Sequence, residues 1–274
     1  MWTEWAECGW NVVMSQFKRY IGIDYSGAET PTSSLSGLRA YEADNELEPC
    51  EVPPPPSPRK YWTRRGIAEW LREQLLKPEP TIVGIDHAFS FPLQYFEMHG
   101  LALDWPSFLE DFRHHWPTHK DHTYVDFIRD EFRGNGLDRI GDASWFRLTE
   151  RWTAAAKSVF RFDIQGAVAK STHAGLPWLL YLREHCGDRV HFWPFDGWDV
   201  PNGKSAVVEV YPSLWMRRFP KDGERNGDQQ AAYAVTAWLL RADRDGSLTH
   251  FFHPPLDPSE HSLAKVEGWI LGVT

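Results

Sequence analysis

Two short stretches of this chain read alike, and each ends in a carboxylate. Arg19-Tyr20-Ile21-Gly22-Ile23-Asp24 runs into Tyr25-Ser26-Gly27, and Thr81-Ile82-Val83-Gly84-Ile85-Asp86 runs into His87. Apolar, β-branched runs bounded by turn residues predict strands buried on both faces. An acidic residue at the end of such a strand needs a partner, because burying an isolated charge is costly. Two such strands lying side by side would bring Asp24 and Asp86 to one point. Adjacent carboxylates repel, and a divalent cation, Mg²⁺ or Mn²⁺, relieves the repulsion.

The 274 residues are enough for one large core, expected as a single domain over 14–274 with a helical insertion at about 93–189. Residues 1–13 hold three tryptophans without periodicity and read as a tail or an upstream extension, with Met14 as a natural start. Nothing approaches the roughly 18 consecutive apolar residues of a membrane span, so no membrane partner is expected. Three scattered cysteines and the lack of a signal-peptide pattern point to the cytoplasm. A net charge of −9 argues against a nucleic-acid coat protein but not against a nuclease, whose metal-binding carboxylates count as negative.

Further strands are expected at Leu38–Ala43, antiparallel to the first, and at Cys50–Val52. The prolines Pro53–Pro56 then make a stiff extended connection. Thr63 caps a predicted helix over Arg65–Leu76, with Ile67, Trp70, Leu71 and Leu75 on one face, and the second Gly-Ile-Asp strand follows. Strand, helix, strand is the unit of a parallel crossover. Longer helices are predicted over Trp145–Phe160 and Leu176–Leu182. Strands resume at Val190–Trp193 and Ala206–Tyr211, and the turn-like residues between them predict a hairpin. Asp228 opens a helix over Gln229–Leu240, and a last helix is expected over Pro258–Leu271.

Asp24, Asp86, Glu209 and Asp228 form the candidate catalytic and metal-ligating set. Glu209 interrupts the apolar run Val207-Val208-Glu209-Val210-Tyr211, so it too needs a partner. Read singly, Asp24 is a turn-former and Asp228 a helix N-cap. Together they suit a site in which two cations clamp a phosphodiester, one activating water and one stabilising the leaving oxygen. Gly166–Gly175 has the flavour of a phosphate loop but fails its spacing, since three residues separate Gly166 from Lys170 and Ala169 stands where glycine is required. Lys170, Ser171 and Thr172, with Ser26, remain candidate substrate contacts. A surface loop capping the next helix is the plain alternative for 166–175. His114, His115, His119 and His122 lack a zinc-protease pattern and read as surface residues.

Four motifs, taken in order, resemble a known family. Ile21-Gly22-Ile23-Asp24-Tyr25-Ser26-Gly27, Val83-Gly84-Ile85-Asp86-His87-Ala88-Phe89-Ser90-Phe91-Pro92, Val208-Glu209-Val210-Tyr211-Pro212-Ser213 and Asp228-Gln229-Gln230-Ala231-Ala232-Tyr233-Ala234 are similar to the predicted ribonuclease-H-like nucleases (domain of unknown function 429), as is the ending Glu267–Val273. The resemblance implies an α/β ribonuclease H-like fold: a five-stranded mixed sheet flanked by helices, its first three strands antiparallel and the next two reached by crossovers. It implies that Asp24 and Asp86 are the first- and fourth-strand carboxylates and Asp228 the helix carboxylate. Many members carry another Asp three residues on, where this chain has Ala231. The expected function is metal-dependent hydrolysis of nucleic acid. The alternatives are an ATP-binding phosphotransferase of the actin and sugar-kinase group, or a non-catalytic module that binds a partner through its tryptophans.

Overall fold

The computed structural model describes residues 15–153, 156–163, 168–221 and 223–274. The expected tail over 1–13 lies outside the described residues. Among the described residues six strands form one mixed sheet: β1 (Arg19–Asp24), β2 (Arg39–Asp44), β3 (Cys50–Glu51), β4 (Thr81–Asp86), β5 (Val190–Phe192) and β6 (Ser205–Glu209). Their order is β3-β2-β1-β4-β6-β5. β1–β2 and β2–β3 pair antiparallel, and β1–β4, β4–β6 and β6–β5 pair parallel.

Two expectations are corrected here. The sheet has six strands rather than five, the sixth being β5 at the edge beyond β6. The expected hairpin between the last two strands is instead a parallel crossover, with Val190 opposite Ser205 and Phe192 opposite Val207. The connection is about a dozen residues long, enough to carry the chain back to the start of a parallel neighbour. Its turns therefore mark a route across the sheet end rather than a tight reversal.

Strand alternation sorts the sheet into two faces. Ile21, Ile23, Val83, Ile85 and Val207 enter the core beneath α1 (Arg64–Leu75) and the long α6 (Val168–Cys186). Tyr20, Ile82, Ala206, Val208 and Val210 face α7 (Gly227–Arg244). Gly22 and Gly84 are neighbours in register on this second face. A Cβ on Gly22 would lie 2.5 Å from Thr236 Oγ1 and 2.6 Å from the Ala232 carbonyl oxygen, and one on Gly84 would lie 2.8 Å from Val235 Cγ1. The glycine of each Gly-Ile-Asp motif thus lets α7 lie directly on the central strands.

Helices fill the stretch between β4 and β5: α2 (Leu93–His99), α3 (Trp105–His115), α4 (Val125–Arg129), α5 (Leu148–Trp152) and α6. The expected helix over Trp145–Phe160 is only the short α5. It ends at Thr153, which is extended, and beyond it Val159 and Phe160 turn inward to the core. The loop expected over 166–175 is helical from Val168 onward, and α6 passes through Pro177. A proline there removes an amide donor from the His173 carbonyl. The Thr118 hydroxyl replaces it, donating to His173 O at 2.8 Å. The chain closes with α8 (Leu248–Phe252) and α9 (Pro258–Glu267), the latter shorter than predicted because Gly268 turns out of the helix at φ 79°. No helix among the described residues is long and apolar enough to cross a membrane.

Candidate active site

Asp24 and Asp86 are the last residues of β1 and β4 and stand opposite one another in the parallel register. They follow Gly22 and Gly84 by two residues, so their side chains leave the sheet on the α7 face. Asp228 lies in the first turn of α7, one turn before Ala232, whose carbonyl oxygen packs on Gly22. The N-terminus of α7 therefore sits over the ends of β1 and β4. Asp228 is not the cap of that helix: Asn226 is, accepting from the Gln229 amide while Gln229 answers in a capping box. The loop after β1 also reaches this point, since a Cβ on Gly37 would lie 3.6 Å from Asp228 Oδ2 and 3.7 Å from Ser26 Oγ.

The electrostatics follow from that crowding. Asp24 is held well above the usual carboxylate range, first by burial, then by the charges of Asp86 and Asp228, with Arg39 offsetting part of the effect. Asp86 is pushed up to about 7, by burial and then by the charge of Glu209. Among the described residues neither carboxylate accepts a hydrogen bond or forms an ion pair.

Glu209 belongs to a different arrangement. Its register partner is Ile85, so it leaves the sheet on the face opposite to Asp24 and Asp86. There Arg147 grips it in a two-pronged pair, Nη2 to Oε1 at 2.6 Å and Nη1 to Oε2 at 2.8 Å, and the Phe89 amide donates to Oε2 at 3.0 Å. Arg147 also bonds Glu150 at 2.8 Å, and every member of this group is fully or nearly fully buried. Glu267 completes the knot, accepting from the amides of Leu93 and Leu148. Removing one partner from a buried pair of this kind typically costs about 3–5 kcal/mol, because the other charge is stranded. Glu209 is a fixed brace between the sheet and the helical stretch. Arg147 was hidden within the helix expected over Trp145–Phe160, and no local sequence signal marked it as the partner of Glu209.

A cavity of about 690 Å³ opens over these strand ends and is lined by Asp24, Asp86, Asp228 and Glu209. Ser26, Lys170 and Ser171 line it as well. Lys170 is tied to Asp126 at 2.8 Å, and the Ser171 hydroxyl donates to Val168 O at 2.9 Å. Thr172 does not line the cavity; it is buried beneath it and its hydroxyl accepts from the Ala88 amide at 3.1 Å. That contact locks α6 to the end of β4. Sequence reasoning missed several lining residues, among them Arg147, Glu150, Lys157, Arg161 and Phe162.

Two buried groups shape the walls. His87 packs edge-on to Tyr25, with centroids 4.7 Å apart, and against Gly175 of α6. Burial lowers its pKa to about 4, so the ring is neutral, and Nδ1 is 2.8 Å from the Ala88 carbonyl oxygen. Arg64 is fully buried and uses its guanidinium on backbone alone, donating to the carbonyls of Ser26, Ala28 and Glu29. It fixes the loop that follows Asp24.

Among the described residues no three His, Cys, Asp or Glu side chains converge into a ready-made ion cage. The donor chemistry nevertheless suits a hard cation. Asp24, Asp86 and Asp228 are all oxygen donors, the charges of Asp86 and Asp228 add to burial in raising the proton affinity of Asp24, and among the described residues neither strand carboxylate accepts a hydrogen bond or forms an ion pair. No protein-family model, curated protein or solved structure matches this chain.

Proposed function

We propose that this chain is a metal-dependent phosphodiesterase that hydrolyses nucleic acid, built on a ribonuclease H-like sheet. One observation carries the reading: Asp24 and Asp86 end adjacent parallel strands in register, half-buried and without a hydrogen-bond or ion-pair partner among the described residues, with Asp228 beside them. A sheet whose first three strands are antiparallel and whose later strands are reached by crossovers agrees with the fold that the motif resemblance implies.

In this reading Asp24, Asp86 and Asp228 hold Mg²⁺ or Mn²⁺, and Glu209 serves as a brace through Arg147. The bound cation supplies a nucleophilic water at neutral pH and charge stabilisation at the phosphoryl group. The protein's own residues do the rest. Paired strands hold Asp24 and Asp86 in fixed register, and Arg64 pins the loop carrying Ser26. The knot of Arg147, Glu150, Glu209 and Glu267 keeps the cavity floor rigid, as a preorganised site requires.

The test is cleavage of end-labelled DNA and RNA by purified protein with Mg²⁺ or Mn²⁺, alongside Asp24→Asn and Asp86→Asn. Each substitution is expected to lower cleavage by roughly 10²-fold or more, the scale of losing one preorganised electrostatic group. Cleavage that survives both substitutions removes the reading.

A further inference from the structure

The cavity gathers both acidic and basic groups. Its floor carries Asp24, Asp86 and Asp228, and its other lining includes Lys157, Arg161 and the half-buried ring of Phe162. Lys157 is exposed and forms no ion pair among the described residues. Arg161 meets only Asp163, at 3.5 Å between exposed side chains, a pair that screening leaves with little strength. Both cations are thus available to an anion inside the cavity, whereas Lys170 is already engaged with Asp126.

Phe162 is not a loose surface ring. It lies parallel to Trp116, with centroids 6.5 Å apart and planes 8° from each other, and packs edge-on to His173 at 4.8 Å. Its cavity side is therefore presented by a fixed support. An aromatic ring, two cations and a set of carboxylates gathered in one cavity match the parts of a nucleotide: base, phosphate and metal-binding oxygens. Proteins that bind single strands combine these same elements, stacking bases on aromatic rings while cations follow the backbone.

Size decides the form of the ligand. A cavity of about 690 Å³ falls within the roughly 300–1,000 Å³ of pockets that enclose small organic ligands. A duplex keeps its bases stacked inside and would leave Phe162 unused, and it needs a broad basic track that a chain of net charge −9 does not advertise. Resting on the hydrolytic reading of the same cavity, we infer that its ligand is single-stranded nucleic acid, with a base on Phe162 and the adjoining phosphates on Lys157 and Arg161.

Binding can be read apart from hydrolysis. The Asp86→Asn protein in EDTA is titrated, by fluorescence anisotropy, into a short labelled oligonucleotide as a single strand and as a blunt duplex. The single strand is expected to bind more tightly. Phe162→Ala is expected to weaken single-strand binding about tenfold, within the range for one lost base stack. Phe162→Leu keeps an apolar side chain against Trp116 and His173 and should weaken binding similarly, which separates stacking from folding. Lys157→Ala with Arg161→Ala should flatten the dependence of log K on log salt by about 1.4, from two lost phosphate contacts on a single strand. Equal or tighter duplex binding, binding of neither form, or a Phe162→Leu protein that binds like its parent overturns the inference. The hydrolytic reading falls on a different result: no metal-dependent cleavage of an oligonucleotide that does bind.

Discussion

At Asp86 burial and the neighbouring charge of Glu209 favour the protonated acid, so this carboxyl titrates near 7 instead of near 4. Between those values the folded chain holds a proton that the unfolded chain has released. Stability from this group is therefore present at low pH and falls as pH rises from about 4 through about 7. Asp86→Asn cannot titrate. Without divalent ions, its stability relative to the parent is expected to grow across that window and level off above it. Urea unfolding of both proteins at a series of pH values measures the gap, and a gap that stays constant contradicts the assigned environment. Arg147 resolves the opposite problem on the other face, where a buried cation gathers Glu209 and Glu150 and leaves neither charge alone.

Among the elements, α7 governs the site because it lies so close to β1 and β4. Gly22→Ala places a methyl group against the Ala232 carbonyl oxygen and the Thr236 amide, backbone atoms that cannot swing aside. A loss of roughly 1–3 kcal/mol or more is expected from overpacking. The loss should come with weaker metal-induced stabilisation, since the helix that moves also carries Asp228. Gly223→Ala is the control: no atom lies within 4 Å of its added Cβ, and it should stay within about 0.5 kcal/mol of the parent. Denaturant midpoints of the two variants decide the matter. The Gly-Ile-Asp repeat was legible as a pair of strands, but the purpose of its glycines was not, because the helix that needs them is distant in sequence. The hairpin expectation for β5 and β6 failed for a related reason. Turn residues mark where a chain bends, and only packing against the rest of the sheet decides whether the next strand runs back or forward.

For the molecule as a whole, a cation held only by the folded state must raise its stability, by about 2.7 kcal/mol at a hundredfold excess over Kd. Mn²⁺ is expected to raise the Tm of the parent protein and to have little effect on Asp24→Asn and Asp86→Asn. With 38 acidic residues the chain also binds cations weakly over its surface, so the comparison with the two variants carries the result. An equal rise in all three proteins would place the ion away from the strand ends.

The sequence by itself determined that β1 and β4 are buried strands, that each ends in an aspartate, and that Asp228 stands at the start of a helix, though not that Asn226 rather than Asp228 caps it. Those features are local: residue type, spacing and alternation are enough to specify them. Alternation even placed Glu209 on a definite face of its strand. Tertiary structure decided what each carboxylate meets. Asp24 and Asp86 meet each other because β1 and β4 pair in parallel register, while Glu209 meets Arg147 across the opposite face. Thr172 turns inward to Ala88, and Lys157, Arg161 and Phe162 come to line the cavity. These are contacts between segments far apart in the chain. Their energies depend on burial and geometry that exist only once the sheet has closed against its helices.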